Sequence, residues 1–297
     1  AHVSGTHLGP TRYSPGGGRR AILTRMMSSL RSHVYLSPHL DDAVLSCGGT
    51  IHAQTQRGER VLVVTMFAGT PPNHDLTPFT RELWERWGAA EDPMAARRAE
   101  DCAALAALGA EALHLPHLDC VYRQHPVTGE ALYPTVDDIF AEVHPAEATL
   151  AGALYDDLRG RLGTHPALTV YAPLAAGHHV DHQIVRRTAM RLLADGLGVA
   201  FYEDWPYAGD EATVARALDE GAGLWRRCLA PLSEEALAAK GEAVACYASQ
   251  ISTFWSGVDA MHRALREHAG RVGGSGPAEA FWSLAPVPCQ ATREGRP

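Results

Sequence analysis

From His33 to Tyr202, short apolar runs alternate with longer segments of helical periodicity, and this alternation narrows the architectures open to the chain. Val34-Tyr35-Leu36 reads as a buried strand that ends at Ser37-Pro38. Between Asp42 and Gln56, the residues Ala43, Val44, Cys47, Ile51 and Gln54 share one helical face. Gly58 suits the end of that helix, and Val61 to Phe67 makes a second strand. The pattern continues with a helix from Met94 to Leu108 and a third strand at Leu113-His114-Leu115. Mostly helical chain follows from Val136 to Arg161, then a fourth strand from Leu168 to Tyr171, a helix from Asp181 to Ala194 and a fifth strand from Val199 to Tyr202. Such alternation builds βαβ units, so the expectation is an α/β fold with a mainly parallel sheet flanked by helices and ligands at the carboxyl ends of its strands. Beyond Trp205 the chain reads as helical, with an amphipathic helix from Ser233 to Gln250 and a loop from Gly270 to Pro277.

Length and charge bound the rest. At about 150 residues per domain, 297 residues make one large domain or two small ones. With no internal repeat, the economical division is a disordered extension over 1–30, one α/β domain over 31–290 and a tail over 291–297. A net charge of −8 argues against a nucleic-acid backbone as partner, which calls for a basic face. No apolar run approaches the roughly 18–20 residues of a membrane helix, and the polar start lacks the apolar segment of a signal peptide. A cytoplasmic location is therefore expected. None of the six cysteines forms a C-x-x-C pair, so reduced, mostly buried thiols are expected rather than a zinc finger or redox motif. Nothing in the sequence speaks to oligomeric state.

Histidine is abundant, at sixteen residues, and two short segments gather it with acids where a strand hands over to a helix. They are Ser37-Pro38-His39-Leu40-Asp41-Asp42 after the first strand and Gly177-His178-His179-Val180-Asp181-His182 after the fourth. A histidine with carboxylates two and three positions later can hold a metal with one carboxylate while the other faces a water. A third ligand from the second segment leaves the open position that catalytic zinc requires. Each segment alone has an ordinary explanation. Acids at a helix start cap it and offset its dipole, and single histidines are common on surfaces. Their coincidence at strand ends of one sheet is what favours a site.

Pro38-His39-Leu40-Asp41-Asp42 followed by Gly48-Gly49, together with the Gly177–His182 segment, resembles the PIG-L/LmbE-like family of zinc-dependent N-acetylglucosaminyl deacetylases. The similarity runs from His33 to about Trp282 and includes Arg97-x-x-Glu100, Leu118-Asp119, Tyr202-Glu203-Asp204 and Tyr247-x-Ser249-Gln250. It implies a Rossmann-like fold and hydrolysis of the acetamide of an amino-sugar conjugate, a small molecule, with one zinc ion per chain. It further implies His39, Asp42 and His182 as zinc ligands and Asp41 as general base. His179 would stabilise the oxyanion as an imidazolium, oriented by Asp181. His178 stays an alternative ligand outside the family frame.

Substrate contacts are expected from Arg97, which matches a family arginine near the sugar, and from Asp119, placed after the third strand to hold hydroxyls. Tyr122 and Arg123 would line the same rim. Arg97 and Asp119 also have plainer readings, as a solvated or paired arginine and as a turn residue. Trp84 and Trp87, three residues apart, suit packing better than sugar stacking. An amidase acting on a larger acyl group or a thiol conjugate would share the catalytic set. A non-catalytic nucleotide- or sugar-binding protein is the contrasting class, disfavoured because no G-x-G-x-x-G or P-loop opens a helix.

Overall fold

The computed structural model describes residues 32–72, 76–88, 91–162, 168–219 and 224–284. The expected extension and tail lie outside them. Seven strands, β1 (Ser32–Ser37), β2 (Arg60–Thr65), β3 (Glu111–His114), β4 (Leu168–Pro173), β5 (Gly198–Tyr202), β6 (Arg226–Pro231) and β7 (Ala278–Ser283), form one sheet in the order β3-β2-β1-β4-β5-β7-β6. The first five run parallel, and β7 pairs antiparallel with both β5 and β6.

Both faces of the sheet are covered. Val34 and Leu36 point into one core with Leu154, Leu158, Ile184 and Val185, while Tyr35 between them points into the other with Val44, Ile51, Leu105 and Val244. This is why the parallel strands read as continuous apolar runs rather than alternating ones. After β1 the chain builds outward to β2 and β3, and β4 then returns to the opposite side of β1. That reversal opens a crevice at the carboxyl ends of β1 and β4, where both His–Asp segments emerge.

The first helix, α1 (Asp42–Gln56), begins at Asp42 as the periodicity predicts, and it is buried along most of its length because α8 (Glu234–Ala245) crosses it. Gly48 permits this approach, since a Cβ there would lie 3.0 Å from Lys240 Cγ of α8. Two helices flank the next stretch, α2 (Pro78–Arg86) and α3 (Pro93–Ala107), each opened by a capping side chain and a proline at its start, Thr77–Pro78 and Asp92–Pro93.

The expected helix over 136–161 is instead α4 (Val136–Ile139), a 3-10 turn at Pro145–Glu147 and α5 (Leu150–Leu162). Pro145 lacks an N–H to continue a helix, and His144 caps the new turn. After α6 (Val180–Ala194) and α7 (Glu211–Asp219), the expected helix over 233–250 divides into α8 and α9 (Ala248–Phe254). The chain bends at Tyr247, whose hydroxyl donates to Asp101 at 2.7 Å. The last helix, α10 (Val258–Gly273), runs into the expected loop. β6 and β7 are strands where helix was expected: β6 is a partly exposed edge opening with Arg226-Arg227, and β7 is interrupted by a buried Glu279, so neither shows a strand pattern locally. Cys47, Cys102, Cys120 and Cys246 are free, but Cys228 is disulfide-bonded, correcting the expectation of reduced thiols throughout. No helix among the described residues is long and apolar enough to cross a membrane.

Candidate active site

The turn after β1 positions the first cluster through its own hydrogen bonds. Ser37 Oγ accepts from the Ala43 N–H at 3.0 Å and donates to the His39 carbonyl at 2.7 Å. Asp42 Oδ2 accepts from the His39 N–H at 2.8 Å. Ser37 thus meets a free donor at the start of α1, and Asp41, in the N-cap position, makes no capping hydrogen bond with its side chain. The capping explanation of Asp41 therefore does not apply, and its carboxylate opens onto the cavity instead.

The loop after β4 brings the second cluster against the first. His39 Nδ1 lies 3.3 Å from Asp42 Oδ2, and His182 Nε2 lies 3.4 Å from Asp42 Oδ1. One ligand atom from each of His39, Asp42 and His182 falls within 4.8 Å of the others, as a single small cation requires. The far nitrogen of each imidazole rests on a second carboxylate, His39 Nε2 on Asp181 Oδ2 at 2.9 Å and His182 Nδ1 on Asp204 Oδ1 at 2.6 Å. Histidines that hold metals are oriented in this way. In the sequence Asp204 stands out only as part of the Tyr202-Glu203-Asp204 match, and its distance from His182 depends on β5 lying beside β4.

Electrostatics follow from this packing. Burial opposes charge on both imidazoles, but Asp119, Asp181 and Asp42 hold His39 well above the usual histidine range. Asp42 and Asp204 raise His182 to about 10 against the same penalty. For Asp42, burial is outweighed by His182 and His39, which hold it well below the usual carboxylate range. Burial and then the neighbouring Asp42 raise Asp41 to about 6, against the pull of Arg97 and His39. The negative field that favours protons on these imidazoles is the field that attracts a divalent cation, so the donor set fits one.

His179 departs from expectation. The Asp181 carboxylate is committed to His39, to the Cys120 N–H at 3.0 Å and to Arg123 Nη1 at 2.6 Å. What reaches His179 is the Asp181 backbone N–H, which donates to Nδ1 at 3.2 Å, and the Cys120 Sγ, 3.9 Å from Nε2. This leaves the ring proton on Nε2, and burial followed by the charge on His39 lowers its pKa well below the usual range. Nε2 is thus the ring's available donor, and the Asp181 carboxylate does not aim it.

Arg97 and Asp119 line the cavity as expected. Arg97 is buried, stacks over Trp87 at 4.5 Å and approaches Asp41 to 3.8 Å, and its Nε has no hydrogen-bond partner among the described residues. Tyr122 and Arg123 do not line it. Tyr122 accepts a hydrogen bond from Trp84 Nε1 at 2.8 Å, and Arg123 is buried behind the site between Asp181 and Glu147, over the Phe67 and Tyr133 rings. His178 turns toward Glu142, 3.2 Å away, and stands outside the ligand cluster.

Tyr207, which the sequence does not single out, forms a wall of the site edge-on to His182 and Phe140. Its ring fills the space a side chain at 177 would need, because a Cβ on Gly177 would lie 2.3 Å from Tyr207 Cγ. Gly177→Ala is expected to push the ring toward the ligands, lowering kcat/KM at least tenfold and stability by about 1–3 kcal/mol. Steady-state kinetics and urea melts check this, and a fully active, equally stable variant would refute the contact.

Comparison with known proteins agrees with this geometry. A family model described as PIG-L, GlcNAc-PI de-N-acetylase, matches residues 34–193, which hold both His–Asp segments. A 2'-N-acetylparomamine deacetylase of Niallia circulans is 27% identical over 61% of this chain and 70% of its own length. A second protein of that name, from Streptomyces fradiae, is 32% identical over 64% of this chain, a match that spans 63% of that protein. Among solved structures, the zinc-inhibited form of teicoplanin deacetylase Orf2 is 29% identical, with a TM-score of 0.73 over 84% of this chain and 97% of that one. The matching family model, the fold shared with teicoplanin deacetylase and the two curated relatives named as deacetylases lead to one conclusion: the chain belongs to the PIG-L family and is a hydrolytic N-deacetylase.

Proposed function

We propose that the chain is a zinc-dependent hydrolase that removes the acetyl group from an N-acetylated amino-sugar conjugate. The observation that carries the reading is the Asp41-Asp42 pair. One carboxylate faces two imidazoles, while its neighbour, free of any capping duty, opens onto the same cavity. The names of the Niallia and Streptomyces relatives, both acetylparomamine deacetylases, support an amino-sugar substrate.

His39, Asp42 and His182 would hold one metal ion per chain, and two imidazoles with one carboxylate suit zinc. When bound, zinc supplies Lewis acidity toward a water molecule and the amide carbonyl. Asp41 takes a proton from the attacking water and returns it to the departing amine nitrogen, so its charge is regenerated in each turnover. His179 donates its Nε2 proton to the oxygen that becomes negative as the carbonyl carbon turns tetrahedral. Arg97, with its Nε unpartnered, and Asp119 hold the sugar hydroxyls. Asp181 acts at one remove by fixing His39, and Arg123 by fixing Asp181.

Acetate and free-amine release from a panel of N-acetylglucosamine conjugates tests the reading, with metal analysis expected to give about one zinc per chain. A panel without acetate release, or a protein without metal, would overturn it. Asp204→Asn is expected to weaken zinc affinity about 10–100-fold by loosening His182. Competition with a chromogenic chelator measures this, and an unchanged affinity would remove Asp204 from the site.

A further inference from the structure

The two imidazoles of the cluster rest on carboxylates in unlike surroundings. Asp204, behind His182, gives its second oxygen to a neutral donor, the Ala176 N–H at 3.1 Å. Asp181, behind His39, is closed to solvent and must serve the Cys120 N–H and the Arg123 guanidinium as well. A guanidinium held by Asp181 alone would draw that carboxylate's charge toward itself. His39 would then have a weaker acceptor at Nε2, and an imidazole holds a metal less well when the acceptor behind it weakens.

Glu147 removes this competition. Arg123 Nη2 donates to Glu147 Oε2 at 3.0 Å, and Nε lies 2.5 Å from Oε1, while Nη1 faces Asp181. One cation thus stands between two carboxylates. The side chains of Arg123 and Glu147 are only 10% and 7% exposed, so salt and water screen these charges little.

The fold holds Glu147 in place from its other side. It ends the 3-10 turn Pro145–Glu147, and its Oε2 accepts from the Tyr133 hydroxyl at 2.7 Å. That hydroxyl in turn accepts from the His144 N–H at 2.8 Å. Glu147 does not line the cavity, and it reaches His39 only through Arg123 and Asp181.

We propose that Glu147 is a positioning residue for the metal: by holding Nε and Nη2 of Arg123, it leaves the Asp181 carboxylate to serve His39. The inference rests on the zinc reading above and assigns a role to a residue remote from the reacting atoms.

Competition of the full-length protein with a chromogenic chelator for zinc tests it. Glu147→Gln is expected to raise the zinc dissociation constant about tenfold, the low end for a residue that acts behind a ligand. Glu147→Asp keeps the charge and should restore most of that affinity. Tyr133→Phe takes away the other hydrogen bond of Glu147 but leaves both ion pairs, and it should bind zinc as the parent does. A merely structural role would lower zinc affinity in Tyr133→Phe and Glu147→Gln alike. Arg123→Lys keeps a cation that cannot span both carboxylates, so it should weaken zinc as Glu147→Gln does. It serves as the second test should Glu147→Gln fail to fold. Unchanged zinc affinity in the folded variants, or equal losses in Glu147→Gln and Tyr133→Phe, would overturn the inference and leave the zinc reading in place. A parent protein that binds no zinc would overturn both.

Discussion

Asp41→Asn is expected to lower kcat by about 10²–10⁴-fold, the usual worth of a positioned general base, while the protein keeps about one zinc per chain. The substitution is close in shape and removes no capping hydrogen bond, because Ser37 Oγ performs that task at the start of α1. The proposed metal ligands keep their supports, His39 on Asp181 and His182 on Asp204. Stability supplies an internal control. Burial and Asp42 raise Asp41 in the folded protein to about 6, above the roughly 3.9 of an unfolded aspartate. The folded state therefore holds its proton more tightly, and the stability this contributes is lost as pH rises from about 4 through about 6. Above that window the ionised carboxylate costs stability, so chelator-treated Asp41→Asn should melt no lower than the chelator-treated parent at pH 8. Single-turnover acetate release and melting curves check both halves. An active variant would remove Asp41 from the proton-transfer role, and a lower melting temperature would reassign it to structure.

The largest expected loss of stability lies behind the site. Lys240 Nζ meets Glu279 Oε1 at 2.7 Å with both side chains buried, and it also donates to the Ser46 carbonyl at 3.2 Å. Glu279 accepts from the Gly49 and Thr50 N–H groups at 3.1 and 2.8 Å and from the Thr50 hydroxyl at 2.5 Å. One ion pair thus ties α8 and β7 to the middle of α1, the helix that carries Asp42. Glu279→Ala leaves a buried ammonium without its partner and is expected to cost about 3–5 kcal/mol. The double variant Lys240→Met with Glu279→Leu removes both charges and should recover most of that loss. Urea denaturation of the three proteins distinguishes the cases. A loss below about 1 kcal/mol in Glu279→Ala would mean that the pair is effectively solvated.

Local periodicity made the parallel half of the sheet legible. Asp42–Gln56 forms the expected helix because its apolar residues share a face, and β1, β2, β4 and β5 fall on the expected apolar runs. The antiparallel edge was not legible. Glu279 in β7 is tolerated only because Lys240 reaches it from α8, and Arg227 in β6 pairs with Glu203 at 3.1 Å from the end of β5. Both partners are distant in sequence, so no window of a few residues contains the compensation.

The candidate site divides in the same way. The segments His39–Asp42 and His179–His182 could be read from spacing, because a turn between strand and helix places neighbouring residues together whatever the rest of the chain does. Which carboxylate serves which imidazole could not. Asp181 is two residues from His179, yet its carboxylate supports His39, 142 residues away, while Asp204 supports His182. Arg123 likewise leaves the expected rim to neutralise Asp181. The sequence by itself determined the βαβ alternation and the identity of the two His–Asp turns, since both depend on contacts within a few residues. The tertiary structure decided the pairing of charges, because that pairing follows from β4 returning to lie beside β1 and from the packing that return imposes.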